Sequence, residues 1–361
     1  MADSEQLIAA LDSRVQRRED RRAFFRAALG AAAVGASAFA ISGAAQAQTV
    51  QLTDADILNF ALNLEYLEAN FYYFAVFGTP IPATSTTGTG TLGAANFTGA
   101  VPVNFTGDPI VGQYAREIAA DELAHVNFLR SQLMTAAVAQ PAIDLSVTPT
   151  SAFSSAARSA GIIADAGKDA AGKPLPQTTT FDPYSSPENF LLGAFIFEDV
   201  GVTAYKGASP LLTDKRYLDA AAGILAAEAY HASIVRTVLD QKGVKMPGLM
   251  LRETTEKIST ARDTLDGTPA SAGPPMLVAD DDQGIVPIQN GAGTVSNIVP
   301  TDANAMAFSR STGQVLNIVY LSPPATATKD AAGATVAAVP VMKGGFFPNG
   351  VNGTITKGTT A

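Results

Sequence analysis

Apolar residues recur at helical spacing over residues 53–77, where Ile57, Phe60, Ala61, Leu64, Leu67 and Phe71 share a face and Thr53 or Asp54 can cap the first turn. The pattern predicts an amphipathic helix stopped by Gly78-Thr79-Pro80. Similar periodicity predicts helices over 109–138, 186–207 and 213–242, the last begun after Pro210 and ended at Gly243, with a further helical stretch over 249–265. Residues 81–108, rich in Thr, Gly, Ala and Asn, read as a long surface loop. Residues 141–187 have only weak periodicity and read as a connection that crosses a bundle, with a short helix near 151–160. Beyond Gly267 the composition turns to Pro, Gly, Val and Thr, with β-prone runs at 284–288, 315–321 and 335–341. The expected architecture is mainly α: a four-helix bundle with a long crossover and an added helix over 48–266, then an irregular, β-containing extension over 267–361.

The first 47 residues break this pattern. Arg21-Arg22-Ala23-Phe24-Phe25-Arg26 precedes an uncharged, alanine-rich run to Ile41 and then Ala45-Gln46-Ala47, the order of a secretory signal with a small-residue cleavage site. The paired arginines resemble the twin-arginine type, which implies export of a folded protein by that machinery to the periplasm or cell surface, with Gln48 as mature N-terminus. The apolar run is too short for a spanning helix, which needs roughly 18–20 residues.

Charge and composition narrow the chemistry. A net charge of -9 leaves no basic footprint for nucleic acid. With no cysteine in 361 residues, thiolate metal sites, iron–sulfur clusters and cysteine nucleophiles are excluded. Any metal must be held by oxygen and imidazole.

The chain has two histidines, and each follows a glutamate by three residues: Glu122-Leu123-Ala124-His125 and Glu228-Ala229-Tyr230-His231. On a helix this spacing puts carboxylate and imidazole on one face, within reach of the same ion. The surroundings repeat too. Aligning Glu122 with Glu228 also aligns His125 with His231, Arg130 with Arg236 and Leu133 with Leu239, while aligning Glu65 with Glu198 brings Tyr72 onto Tyr205. Glu65 and Glu198 each sit in an apolar helical run, where a lone buried carboxylate is costly unless paired or bound to a cation. A glutamate from each of two helices and a Glu-x-x-His from each of the other two is the ligand pattern of di-iron and di-manganese carboxylate bundles. Glu68 competes with Glu65 for the first-helix position, and the repeat register favours Glu65. Tyr72 and Tyr205 have two readings, as hydrogen-bond donors to ligands or as core packing. Arg130 and Arg236 read as surface or helix-end ion pairs, and Glu117, Asp121 and Asp199 as solvated.

These residues resemble the ferritin-like superfamily, and the whole mature chain resembles its exported branch of ferritin-like or desiccation-related proteins. The likeness extends into the tail at Ala307-Phe308-Ser309-Arg310, Gln314-Val315-Leu316-Asn317-Ile318-Val319-Tyr320 and Gly345-Phe346-Phe347-Pro348-Asn349-Gly350. It implies two metal ions with Glu65 and Glu198 as terminal ligands, Glu122 and Glu228 bridging, and His125 and His231 one to each ion. A hard donor set of this kind suits iron(II) or manganese(II). The function expected is a di-metal oxidoreductase of ferroxidase or peroxide-scavenging type, meeting O2 or peroxide in oxidative or desiccation stress. The other reading is a non-catalytic desiccation protein whose metal only staples the bundle. The long loop, crossover and tail are awkward in a closed storage shell, so a monomer or small oligomer is expected.

Overall fold

The computed structural model describes residues 52–267, 282–290, 293–302, 304–329 and 334–360; the signal sequence expected over 1–47 lies outside them. Four long helices form the bundle: α1 (Asp54–Phe77), α2 (Pro109–Leu133), α4 (Pro187–Ala208) and α5 (Lys215–Lys245). Each begins where a side chain accepts a backbone N–H that the helix leaves free, namely Thr53, Asp108, Ser186 and Asp214. Thr53 and Asp56 form a reciprocal capping box, and Gly78 closes α1 in the left-handed region at φ +72°. Helix α1 packs chiefly on α2, and α4 on α5. The crossover carries the short α3 (Ala152–Ser159), as the periodicity predicts.

Helix α1 departs from the amphipathic expectation, because its residues from Ile57 to Tyr72 are buried on every side. Its polar positions turn inward to hold loops. Asn59 accepts from the Val138 N–H and donates to the Ala136 carbonyl, while Asn70 donates to Gln140. Asn63 exchanges two hydrogen bonds with the backbone of Asn352 near the C-terminus. Thus α1 is the central helix, enclosed by the loops and tail around the bundle. Around Phe71 gathers an aromatic core that includes Tyr72, Phe153, Tyr184, Phe190 and Phe197.

Two helix ends differ from the sequence reading. Helix α2 stops at Leu133 rather than 138, since Met134 turns left-handed at φ 51° and residues beyond it bond to Thr89. Gly243 does not end α5; it is buried inside the helix, where an added Cβ would meet Arg252 Cγ at 3.0 Å. The added helix α6 (Leu251–Asp266) follows.

In the extension, the run over 315–321 forms a helix, α7 (Thr312–Val319), rather than a strand. Ser311 and Gln314 make a capping box that starts it, and burial of Val315, Leu316, Ile318 and Val319 accounts for the apolar run. Short strands do occur, as Ile288–Asn290 paired antiparallel with Gly293–Val295 and Thr328–Lys329 with Thr335–Val336. Phe346 enters the aromatic core between Phe153 and Phe197, with ring centroids 5.1 and 5.0 Å away. Among the described residues no helix is long and apolar enough to cross a membrane.

Candidate metal centre

All six residues singled out by the repeat converge in the middle of the bundle. Oxygen and nitrogen atoms of Glu65, Glu122, His125 and Glu228 lie within 4.8 Å of one another, as do those of Glu122, Glu198 and His231. Glu122 belongs to both groups and therefore stands between the two positions an ion could take. Glu228 joins the first group, and both of its oxygens are buried without a partner. His125 Nδ1 is 3.3 Å from Glu65, 3.5 Å from Glu228 and 3.7 Å from Glu122. His231 Nδ1 is 3.0 Å from Glu122 and 3.8 Å from Glu198.

The packing leaves these atoms unsatisfied. Among the described residues, nine buried side-chain nitrogen and oxygen atoms lack a hydrogen-bond partner, and eight of them belong to these six residues. Such groups cost about 1–3 kcal/mol each if nothing fills the gap, and more if charged. Their convergence is therefore a property to explain. Two oxygen- and nitrogen-loving cations would satisfy all eight atoms. The donor set fits iron(II) or manganese(II).

The tyrosines take the hydrogen-bonding alternative. Tyr72 on α1 donates to Glu198 Oε1 on α4, and Tyr205 on α4 donates to Glu65 Oε1 on α1. The exchange follows the repeat register and leaves Oε2 of each carboxylate turned to the metal positions. Burial, followed by the charge on the adjacent glutamate, holds both phenols well above the usual tyrosine range, so they remain donors.

Electrostatics divide the carboxylates. Burial pushes Glu65 up to about 8, against the pull of His125. Glu68 and Glu198 are raised well above the usual range and Glu228 is raised, burial leading in each case. For Glu122 burial acts upward, but contact with both imidazoles outweighs it and brings the group to about 2. Burial would lower His231, yet its contact with Glu122 and the charge on Glu198 carry it up to about 10; His125 is raised for the same kind of reason. In the metal-free fold the imidazoles thus take protons in the place a cation would take.

Two aspartates read as solvated depart from that expectation. Asp121 is not simply solvated, because its Oδ2 lies 3.2 Å from His231 Nε2 and orients the ring so that Nδ1 faces the ligands. We expect Asp121→Asn to weaken metal binding at the His231 position by about 10–100-fold, read by competition with a chromophoric chelator, with little change at the His125 position. Glu68, the competitor of Glu65, is buried at 6 % exposure, one turn along α1 from Glu65. Asp199 is buried and paired with Arg236 and Arg262, while Glu117 is exposed as expected.

The two equivalent arginines are tethers. Arg130 donates to the Thr87 carbonyl and the Tyr66 hydroxyl, holding the α1–α2 loop. Arg236 is fully buried and donates to Asp199 and to the carbonyls of Gln283, Gly284, Asn297 and Ile298, holding the extension. A wider buried network of Arg262, Arg310, Asp266 and Asp282 continues from it. Sequence reasoning missed that network, because its members lie far apart in the chain with no shared spacing.

A bundle of four helices presenting paired Glu-x-x-His motifs and two opposed glutamates defines a carboxylate–histidine protein. The chain belongs to the ferritin-like domain family, whose model matches residues 53–241. It is 30 % identical over 269 residues to the desiccation-related protein PCC13-62 of Craterostigma plantagineum, covering 72 % of this chain and 75 % of that protein. It is also 25 % identical over 313 residues to the ferritin-like catalase Nec2 of Nesocodon mauritianus, covering 85 % and 86 % respectively.

Proposed function

We propose that this chain is an exported di-metal protein that holds two iron or manganese ions and disproportionates hydrogen peroxide, protecting the cell envelope under oxidative or drying stress. The observation that carries the reading is the set of eight buried, unpartnered ligand atoms on Glu65, Glu122, His125, Glu198, Glu228 and His231. Such a metal pair can cycle by two electrons, which supports either oxidation of Fe(II) by O2 or the conversion of two H2O2 to two H2O and one O2. Similarity to a ferritin-like catalase favours the second.

The chain's own part is positioning. Glu122 stands between the metal positions, and Glu65 and Glu198 close the two ends. Tyr72 and Tyr205 hold the end carboxylates from opposite helices, fixing which oxygen faces inward. Glu65, Glu122, Glu198, Glu228 and His231 are themselves buried, which keeps bulk water from the centre. Export by the twin-arginine machinery rests on Arg21-Arg22 and the apolar run after them, and a monomer or small oligomer suits the long loops.

Protein purified without added metal is expected to carry about two iron or manganese ions per chain and to evolve O2 from H2O2, with His125→Ala plus His231→Ala losing both. Similarity to a desiccation-related protein supports a second reading, in which the ions only neutralise the buried carboxylates and staple the helices. Two bound ions with no O2 evolution and no Fe(II) oxidation would select it. Equal trace metal in parent and variant would remove both readings.

A further inference from the structure

The centre is closed differently on its two sides. Towards α2 and α5 the imidazoles themselves stand in the way: the His125 and His231 rings are 6.2 Å apart between centroids, and the His125 side chain is 12 % exposed. A molecule arriving there would have to pass between ligands. Towards α1 and α4 no ligand ring intervenes. A narrow cleft lies between those helices, roofed by Ile318 and Val319 of α7 and by Phe346 of the tail. Its cavity volume is ≈ 20 Å³, enough for a species of one or two heavy atoms.

Two residues on the wall give the cleft its character. Gly201 lines its inner end and lets the Glu228 carboxylate come up to the wall, since a Cβ there would lie 2.4 Å from Glu228 Oε2 and 3.4 Å from Glu68 Oε1. In the register that aligns Glu65 with Glu198, Gly201 occupies the place of Glu68, so the repeat is broken at this wall. Glu68 is the single polar side chain on an otherwise apolar lining, and its carboxyl makes no hydrogen bond or ion pair among the described residues. A peroxide has hydroxyl donors that such an oxygen can accept.

We propose that this cleft is the entrance to the metal centre for hydrogen peroxide, and that Ile318 and Phe346 of the C-terminal extension set its bore so that organic hydroperoxides are excluded. The extension thereby becomes part of the substrate filter, with Glu68 and Gly201 at its threshold. The proposal rests on the di-metal reading but not on steady-state turnover, since it concerns passage.

The test uses the full chain loaded with two divalent ions and mixed once with peroxide, following ROOH + 2 M2+ + 2 H+ → ROH + H2O + 2 M3+ by absorbance. The parent protein is expected to react about 100-fold faster with H2O2 than with tert-butyl hydroperoxide, and Ile318→Ala or Phe346→Leu to shrink that ratio about tenfold at unchanged metal content. Ile318→Phe is expected to slow the H2O2 reaction about tenfold. Xenon pressed into crystals of metal-free protein provides a separate readout, with density expected in the cleft of the parent and none in Ile318→Phe. Unchanged discrimination in both widening variants, or an undiminished H2O2 rate in Ile318→Phe, would overturn the proposal. If the parent binds no metal, the di-metal reading fails instead, and a cleft without xenon would then remove the entrance as well.

Discussion

Removing the metal is expected to lower the melting temperature far more at pH 8 than at pH 5, the gap between loaded and stripped protein widening by about 10 °C, the scale of a few kcal/mol in a domain of this size. The sign follows from the ligands. Glu65, held at about 8 against an ordinary 4.5, keeps in the metal-free fold a proton that the unfolded chain has lost; its contribution is present below 4.5 and disappears as pH rises to 8. The upward shifts of Glu68, Glu198 and Glu228 act in the same direction. His231, carried to about 10, adds stability that is complete below 6.5 and is lost between 6.5 and 10. Among the candidate ligands Glu122 opposes them, its contribution being present above 4.5 and lost as pH falls to about 2. The stripped protein should therefore be most stable in mild acid. Metal binding needs the same groups without their protons and strengthens as pH rises. Calorimetry with and without chelator at pH 5, 6.5 and 8 reads the gap, and a gap independent of pH would mean that metal does not neutralise these ligands.

Arg236→Ala is expected to cost about 3–5 kcal/mol, the range for breaking a buried ion pair from one side. Its guanidinium is fully buried and donates to Asp199 and to four carbonyls of the extension. Truncation would leave Asp199 with Arg262 alone and strand those carbonyls. Because Asp199 follows Glu198 in the chain, the loss should also loosen one end of the metal centre. Urea unfolding gives the energy, and limited proteolysis tests the cause: cleavage beyond Gly267 should quicken before the bundle itself is cut. An exposed arginine would show neither effect, so a change below about 0.5 kcal/mol would refute the buried placement.

The bundle was legible because helical periodicity is a local signal, and the capping residues Thr53, Asp108 and Ser186 stand beside the segments they start. The six candidate ligands were legible for another reason: the repeat marks Glu65 with Glu198 and the two Glu-x-x-His motifs as equivalent positions, so one register argument gathers all six. Periodicity failed where burial was total or where an apolar run was short. An all-sided apolar face does not reveal that α1 is central, and the apolar run over 315–321, read as β-prone, is a helix that Ser311 and Gln314 cap.

By itself, then, the sequence determined the bundle helices, their pairing by internal repeat, and the residues that converge on the centre, because each depends on spacing within a few turns. Only the tertiary structure decided that Tyr72 and Tyr205 bond crosswise to the opposite glutamates, that Asp121 orients His231, and that Arg236 fastens the extension to the bundle. It also decided that Phe346 and α7 cover the α1–α4 side of the centre, where Gly201 lets the Glu228 carboxylate approach the wall. These are contacts between side chains distant in the chain, fixed by packing and by the need to pair buried charges, and neither requirement leaves a regular spacing in the order of residues.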